Sequence, residues 1–329
     1  MMISSDFKAA WWLTNSHAQT VYPTLMRNRQ LPITQTERLE LPDGDFIDLA
    51  WATHDCDEKA PLVIFLHGLG GNIESSYVGG QLQAYNAHGW RAVLMHFRGA
   101  SQEPNRLPRA YHSGDTGDLD YFIQTLHQRE PHTTKAIVGI SLGGNVLLKW
   151  LGEQEKQPYI QTAVAVSVPF DLGQVAIKIN QGFSRLYQYY LLRKMNRLFH
   201  AKLTHYPEHM PDFVRQLGTC RDFRTFDHEI TAPLHGFKSG EDYYQQSSSR
   251  QFLSAIQTPT LIIHAKDDPF MTKDAIPSTA ELSPSITLEL SEKGGHVGFI
   301  TGATPGKPIY WLDIRVPDFL ASQFHNELN

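Results

Sequence analysis

The sequence predicts an α/β protein: an open, mostly parallel central sheet flanked by helices, with a helical cap inserted before its last strands. Three observations predict it. Wholly apolar runs such as Leu62–Leu66 alternate with helix-forming stretches, and strands covered on both faces read that way. The alternation stops for about 85 residues after Pro169 and then resumes. A Gly139-x-Ser141-x-Gly143 pattern stands between a predicted strand and a predicted helix. The expected organisation is one domain with a core at about 30–169 and 256–329, a cap at 170–255 and an N-terminal arm at 1–29 packed on the core.

In chain order, the arm holds Phe7, Trp11, Trp12, Val21, Tyr22, Leu25 and Met26, partly at helical spacing. Lys8, Arg27 and Arg29 are its only positive charges, too few to favour a membrane contact. Thr36–Ala52 reads as a hairpin turning at Pro42-Asp43-Gly44-Asp45. Leu62–Leu66, Ala92–Met95, Ala136–Val138 and Ala163–Val168 follow as strands, with helices near Ser75–His88 and Asp115–Arg129 and another after the glycine motif. In the insertion, Phe183, Leu186, Tyr187, Tyr190, Leu191, Met195, Leu198 and Phe199 fall at helical spacing. Their face is expected to pack on the domain or over a pocket, with Arg185, Arg193 and Arg197 opposite. The pattern resumes with a strand at Thr260–Ile263, a helix near Asp274–Glu281, a strand at Ile286–Leu290 and a helix around Tyr310–Phe324.

Composition narrows the function classes. A hydrophobic share of 41% supports a real core and excludes a disordered chain. A net charge of −5 without a basic stripe argues against a nucleic-acid partner. Cys56 and Cys220 lie far apart and make no metal or redox spacing. Residues Met1–Asp6 lack a positive start followed by an apolar core, and no apolar run approaches the ~18 residues of a membrane span. A soluble cytoplasmic protein is expected.

The glycine motif carries the chemistry. A sharp strand-to-helix turn strains its central residue and leaves no room for side chains two positions away. It presents the Ser141 hydroxyl above the sheet and aims the Leu142 N–H, at a helix N-terminus, toward a developing oxyanion. An acid is expected after the strand that follows the insertion, where Asp267-Asp268-Pro269-Phe270 stands; Asp268 is chosen and Asp267 read as a turn residue. A base is expected after the last strand, and Gly294-Gly295-His296-Val297-Gly298 gives His296 glycines on both sides. The second oxyanion donor is expected in His67-Gly68-Leu69-Gly70-Gly71, with the Leu69 N–H as candidate. His67 is read as holding that loop, and Arg98 as bracing its neighbours.

The order Ser141, Asp268, His296 and its strand-end positions resemble the α/β-hydrolase superfamily over nearly the full chain. The His-Gly-Leu-Gly-Gly, His-Phe-Arg-Gly, Gly-Ile-Ser-Leu-Gly-Gly-Asn, Asp-Asp-Pro-Phe and Gly-Gly-His-Val-Gly-Phe segments resemble the AB hydrolase 4 family of YheT-type bacterial esterases and mammalian relatives with phospholipase-like activity. Asn15-Ser16-His17-Ala18-Gln19-Thr20 resembles that family's N-terminal arm. The resemblance implies the α/β-hydrolase fold, a Ser141–Asp268–His296 triad and hydrolysis of carboxylic esters. This chain shows no N-terminal span, so the membrane-bound relatives' lipid substrates do not carry over directly. Thr301 stands where acyltransferase members often carry an aspartate, which counts against that activity. The expected substrate is a small ester with an apolar acyl or alcohol group, of short or medium acyl length, cleaved without metal or organic cofactor. A lysophospholipase, thioesterase or amidase using the same residues is the alternative. A non-catalytic binding protein on the same fold is the rival of another class.

Overall fold

The computed structural model describes residues 1–28, 30–53, 55–154 and 159–325; Arg29, counted with the arm's charges above, lies outside them. Nine strands form one sheet: β1 Met2–Ser4, β2 Gln35–Glu40, β3 Phe46–Ala52, β4 Leu62–Leu66, β5 Arg91–Met95, β6 Lys135–Ile140, β7 Thr162–Val166, β8 Thr260–Ala265 and β9 Ile286–Ser291. Their spatial order is β1-β9-β8-β7-β6-β4-β5-β3-β2. The β2–β3 and β3–β5 pairs are antiparallel and every other pair is parallel.

Alternation along each strand divides the core in two. Leu62, Ile64 and Leu66 of β4 point to one face, and Val63 and Phe65 to the other. Helices α3 Gly117–Arg129 and α4 Leu142–Glu153 cover the first face through Phe122, Leu126, Val146 and Leu147. Helices α2 Val78–Ala87 and α10 Leu312–Phe324 cover the second through Leu82, Tyr85, Val316 and Leu320. Each such side chain, fully buried, contributes about 1.5–3 kcal/mol relative to exposure.

The arm does more than pack. Its first residues form the edge strand β1, paired with β9, and Asn15 caps α1 Ser16–Met26 by accepting the Ala18 N–H. The helix expected near Asp274–Glu281 is replaced by two 3₁₀ turns, Lys273–Ala275 and Thr279–Glu281. Pro277 separates them: it offers no N–H, and Ile276 before it is held extended at ψ 124°.

Between β7 and β8 the chain builds α5 Leu172–Ile179, α6 Ser184–His205, α7 Phe223–Phe226, a π-helical turn Asp227–Thr231, α8 Ala232–His235 and α9 Gly240–Ser247. Side-chain caps from Asp171, Asp222 and Ser239 start α5, α7 and α9. The buried stripe of α6 differs from the apolar periodicity. It runs Ser184, Gln188, Leu192, Met195, Phe199 and Lys202, while Phe183, Leu186 and Tyr190 face outward at 53%, 58% and 50% exposure. The polar members go inside because each finds partners. The Ser184 hydroxyl donates to the Pro269 carbonyl, and Lys202 Nζ donates to Asn105 Oδ1 and to the Leu107 and Arg109 carbonyls. Among the described residues, no helix is long and apolar enough to cross a membrane.

Candidate active site

The turn between β6 and α4 is as tight as its sequence requires. Ser141 sits at φ 51°, ψ −116°, a conformation that costs a non-glycine residue on the order of 1–3 kcal/mol. A Cβ on Gly143 would lie 2.7 Å from the His67 and Leu66 carbonyl oxygens, and one on Gly139 2.5 Å from the Gly143 carbonyl. Only glycine lets the turn nest against β4 in this way.

His296 and the acid reach Ser141 from the neighbouring strand ends. The loop after β8 carries Asp268, whose Oδ2 lies 2.8 Å from His296 Nδ1. His296 Nε2 lies 3.0 Å from Ser141 Oγ. Asp268 is buried and its Oδ1 accepts the Phe270 N–H at 2.8 Å. Burial pushes the Asp268 carboxyl up, but the charge and hydrogen bond of His296 outweigh it, and the net shift is downward. Asp267 plays a separate part: its Oδ1 accepts the Gly295 N–H at 3.0 Å, tying the two loops together.

The glycine loop after β4 crosses directly beside Ser141. A Cβ on Gly68 would stand 3.3 Å from Ser141 Cβ. The Gly68 N–H donates to the Tyr77 hydroxyl and the Gly70 N–H to the Tyr111 hydroxyl. Between them, the Leu69 N–H has no acceptor among the described residues, and neither does the Leu142 N–H at the start of α4. Both residues line the same pocket as Ser141 and His296. Two unpaired donors at one site are what an oxyanion hole requires. His67 is wholly buried and structural in its contacts: Nε2 accepts the Phe97 N–H, so Nδ1–H donates to the Gly68 carbonyl. Burial holds it neutral, its pKa lowered to about 3. Arg98 bridges Asp118, Asp45 and Asp43 and braces the loops around it.

Three supporting residues carry no signal in the strand-end motifs. The Thr20 hydroxyl accepts the His296 N–H at 2.9 Å. Gln19 Oε1 accepts the Ile300 N–H, and its Nε2 donates to the Ile300 carbonyl. Helix α1 thus clamps the loop of His296. On the other side, Lys194 of α6 donates to the Gly70 carbonyl at 2.9 Å and steadies the glycine loop. The 15–20 segment contains Gln19 and Thr20, but its partners lie some 280 positions away, beyond any local pattern. Lys194 sits in a helix where Arg185, Arg193 and Arg197 are exposed, and its spacing does not set it apart from them.

From Ser141 a pocket with a cavity of about 100 Å³ runs under the insert. Its walls are mostly apolar, including Leu172, Val175, Ile179, Met195, Phe226 and Met271. Three polar side chains, Asp227, Thr231 and Tyr244, meet at the insert end of it.

Residues 61–303 match the family described as the alpha/beta hydrolase fold. The chain is 44% identical to Escherichia coli YheT, provisionally named an esterase, over 97% of this chain and 94% of that protein. It is 32% identical to a monoacylglycerol lipase of Saccharomyces cerevisiae, over 74% of this chain and 56% of the yeast protein. Among solved structures, an esterase of Pyrococcus furiosus superposes with a TM-score of 0.55 at 14% identity, covering 90% of this chain and 99% of that one.

Proposed function

The chain belongs to the α/β hydrolase fold family, and we propose that it is a serine hydrolase cleaving carboxylic esters through Ser141, His296 and Asp268. One observation carries the reading: the unbroken relay of 3.0 Å from Ser141 Oγ to His296 Nε2 and 2.8 Å from His296 Nδ1 to Asp268 Oδ2. Ser141 Oγ attacks the ester carbonyl while His296 Nε2 takes its proton. The Asp268 carboxylate keeps the His296 proton on Nδ1 and stabilises the imidazolium. The Leu69 and Leu142 N–H groups bind the oxyanion of the tetrahedral intermediate. As that intermediate collapses, the bond to the alcohol breaks and His296 returns the proton to the leaving oxygen. Water, deprotonated by His296, then attacks the acyl-enzyme, and the acid leaves as the Ser141 hydroxyl reforms.

The apolar pocket supports a substrate with a short or medium acyl chain or an apolar alcohol. The names of the bacterial and yeast relatives, an esterase and a monoacylglycerol lipase, support the same bond type. The test is the intact mass of the protein after treatment with a fluorophosphonate, on wild type and Ser141→Ala. One adduct on wild type, absent from a folded Ser141→Ala, is the expected result. An adduct that persists in Ser141→Ala sinks the assignment of the nucleophile, and no adduct on wild type removes most of its support.

A further inference from the structure

The insert end of the pocket holds a polar group that the proposed ester chemistry does not use. Asp227 lies in a mostly apolar lining. The Thr231 hydroxyl donates to its Oδ1 at 2.7 Å and the Tyr244 hydroxyl to its Oδ2 at 2.9 Å. No Lys, Arg or His among the described residues pairs with it. A carboxyl in such a wall is costly unless something uses its remaining capacity for hydrogen bonds. The backbone here is also unusual. The Ala232 N–H bonds to the Asp227 carbonyl, the i→i+5 pattern of a π-helical turn, which is frequent at functional sites.

Three other polar groups of the wall each already accept a backbone N–H. The Tyr243 hydroxyl accepts the Ser113 N–H, the Tyr111 hydroxyl accepts the Gly70 N–H, and His112 Nδ1 accepts the Gly114 N–H. Among charged groups, Asp222 acts on Asp227 and raises its carboxyl further, while the positive field of Arg109 and Lys149 bears on His112. Burial pushes the Asp227 carboxyl up to about 7, so near neutrality it can both donate and accept.

We propose that Asp227, Thr231 and Tyr244 form a station that hydrogen-bonds a hydroxyl group on the substrate chain entering this pocket. The substrate class is then a hydroxylated ester rather than a plain alkyl one. This rests on the reading of Ser141 as the reacting end of the same pocket. A hydroxyl-bearing chain leaves no buried donor or acceptor unpaired there, whereas a plain chain strands the carboxyl against hydrocarbon.

The experiment uses matched ester pairs, with an ω-hydroxyl present or absent at four to eight carbons, on the acyl side in one series and on the alcohol side in another. Wild type is expected to favour the hydroxylated member of at least one pair by about tenfold or more in kcat/KM. Thr231→Val, Tyr244→Phe and Asp227→Leu are each expected to bring that ratio toward one; three variants are used in case one does not fold. The same pairs are titrated calorimetrically into Ser141→Ala. A preference there with no turnover by wild type keeps the station and removes the serine reading. Turnover of both members at equal kcat/KM in every pair keeps the serine reading and overturns the station. Stronger preference for a matched ω-ammonium ester also overturns it, in favour of an ion-pairing site. Equal losses on both members in the variants mean a structural role and overturn it as well.

Discussion

The Phe270 ring lies flat on the His296 imidazole, with centroids 3.9 Å apart and planes 8° apart. The same residue's N–H donates to Asp268 Oδ1. Phe270 therefore orients both partners of the proposed Asp268–His296 pair, one through its ring and one through its backbone.

Phe270→Leu keeps the backbone bond and removes the stack. The imidazole is then free to swing, and small misplacements of a catalytic group cost one to two orders of magnitude. The expected result is a roughly ten- to hundredfold lower kcat on a soluble ester, with KM and melting temperature little changed. An unaltered kcat would falsify the positioning role.

The strain at Ser141 predicts an inversion of the usual stability order. Glycine normally destabilises relative to alanine, yet at φ 51°, ψ −116° alanine keeps the strain and glycine relieves it. Ser141→Gly is expected to be more stable than Ser141→Ala by about 1 kcal/mol in chemical denaturation, with both inactive. The reverse order refutes stored strain at the turn.

Helix α1 is expected to matter to turnover although it contributes no reacting group. Thr20→Val leaves the partly buried His296 N–H without its acceptor, a loss of roughly 1 kcal/mol, the lower end of the range for a buried donor. Thr20→Ser keeps the oxygen. Thermal melts and kcat together should separate the two: Thr20→Val loses both stability and rate, and Thr20→Ser stays near wild type. Equal losses in both mean that the methyl group, and not the hydrogen bond, is what counts.

Asp227 predicts a pH dependence of stability. Burial raises its carboxyl from 3.8 to about 7, so between those values the folded chain binds more protons than the unfolded one. Its contribution is fully present below pH ~4 and is lost as pH rises through ~7. About three units at 1.36 kcal/mol each bound the loss at roughly 4 kcal/mol, and its partial contact with the pocket lowers it. Asp227→Asn removes the titration. Urea melts from pH 4 to 7 are expected to show wild type losing ground to Asp227→Asn as pH rises. A constant difference between the two contradicts the shift.

Much of this architecture is legible in one dimension. Leu62–Leu66 and Thr260–Ile263 announce strands buried on both faces because period and composition are local properties. Ser141, Asp268 and His296 are legible for a related reason. In a parallel sheet the loops at the strands' C-terminal ends gather on one edge, so chain order with strand position predicts proximity. The misreadings have equally physical causes. The helix near Asp274–Glu281 yields to Pro277, and α6 turns Phe183, Leu186 and Tyr190 outward because Ser184 and Lys202 find buried acceptors that no periodicity encodes. The contacts of Thr20 with His296, Lys194 with Gly70 and Phe270 with His296 belong to the fold alone. The first two join segments more than a hundred residues apart, and the third depends on how two loops pack. Local spacing reports which face a residue takes, and long-range packing decides what it meets there.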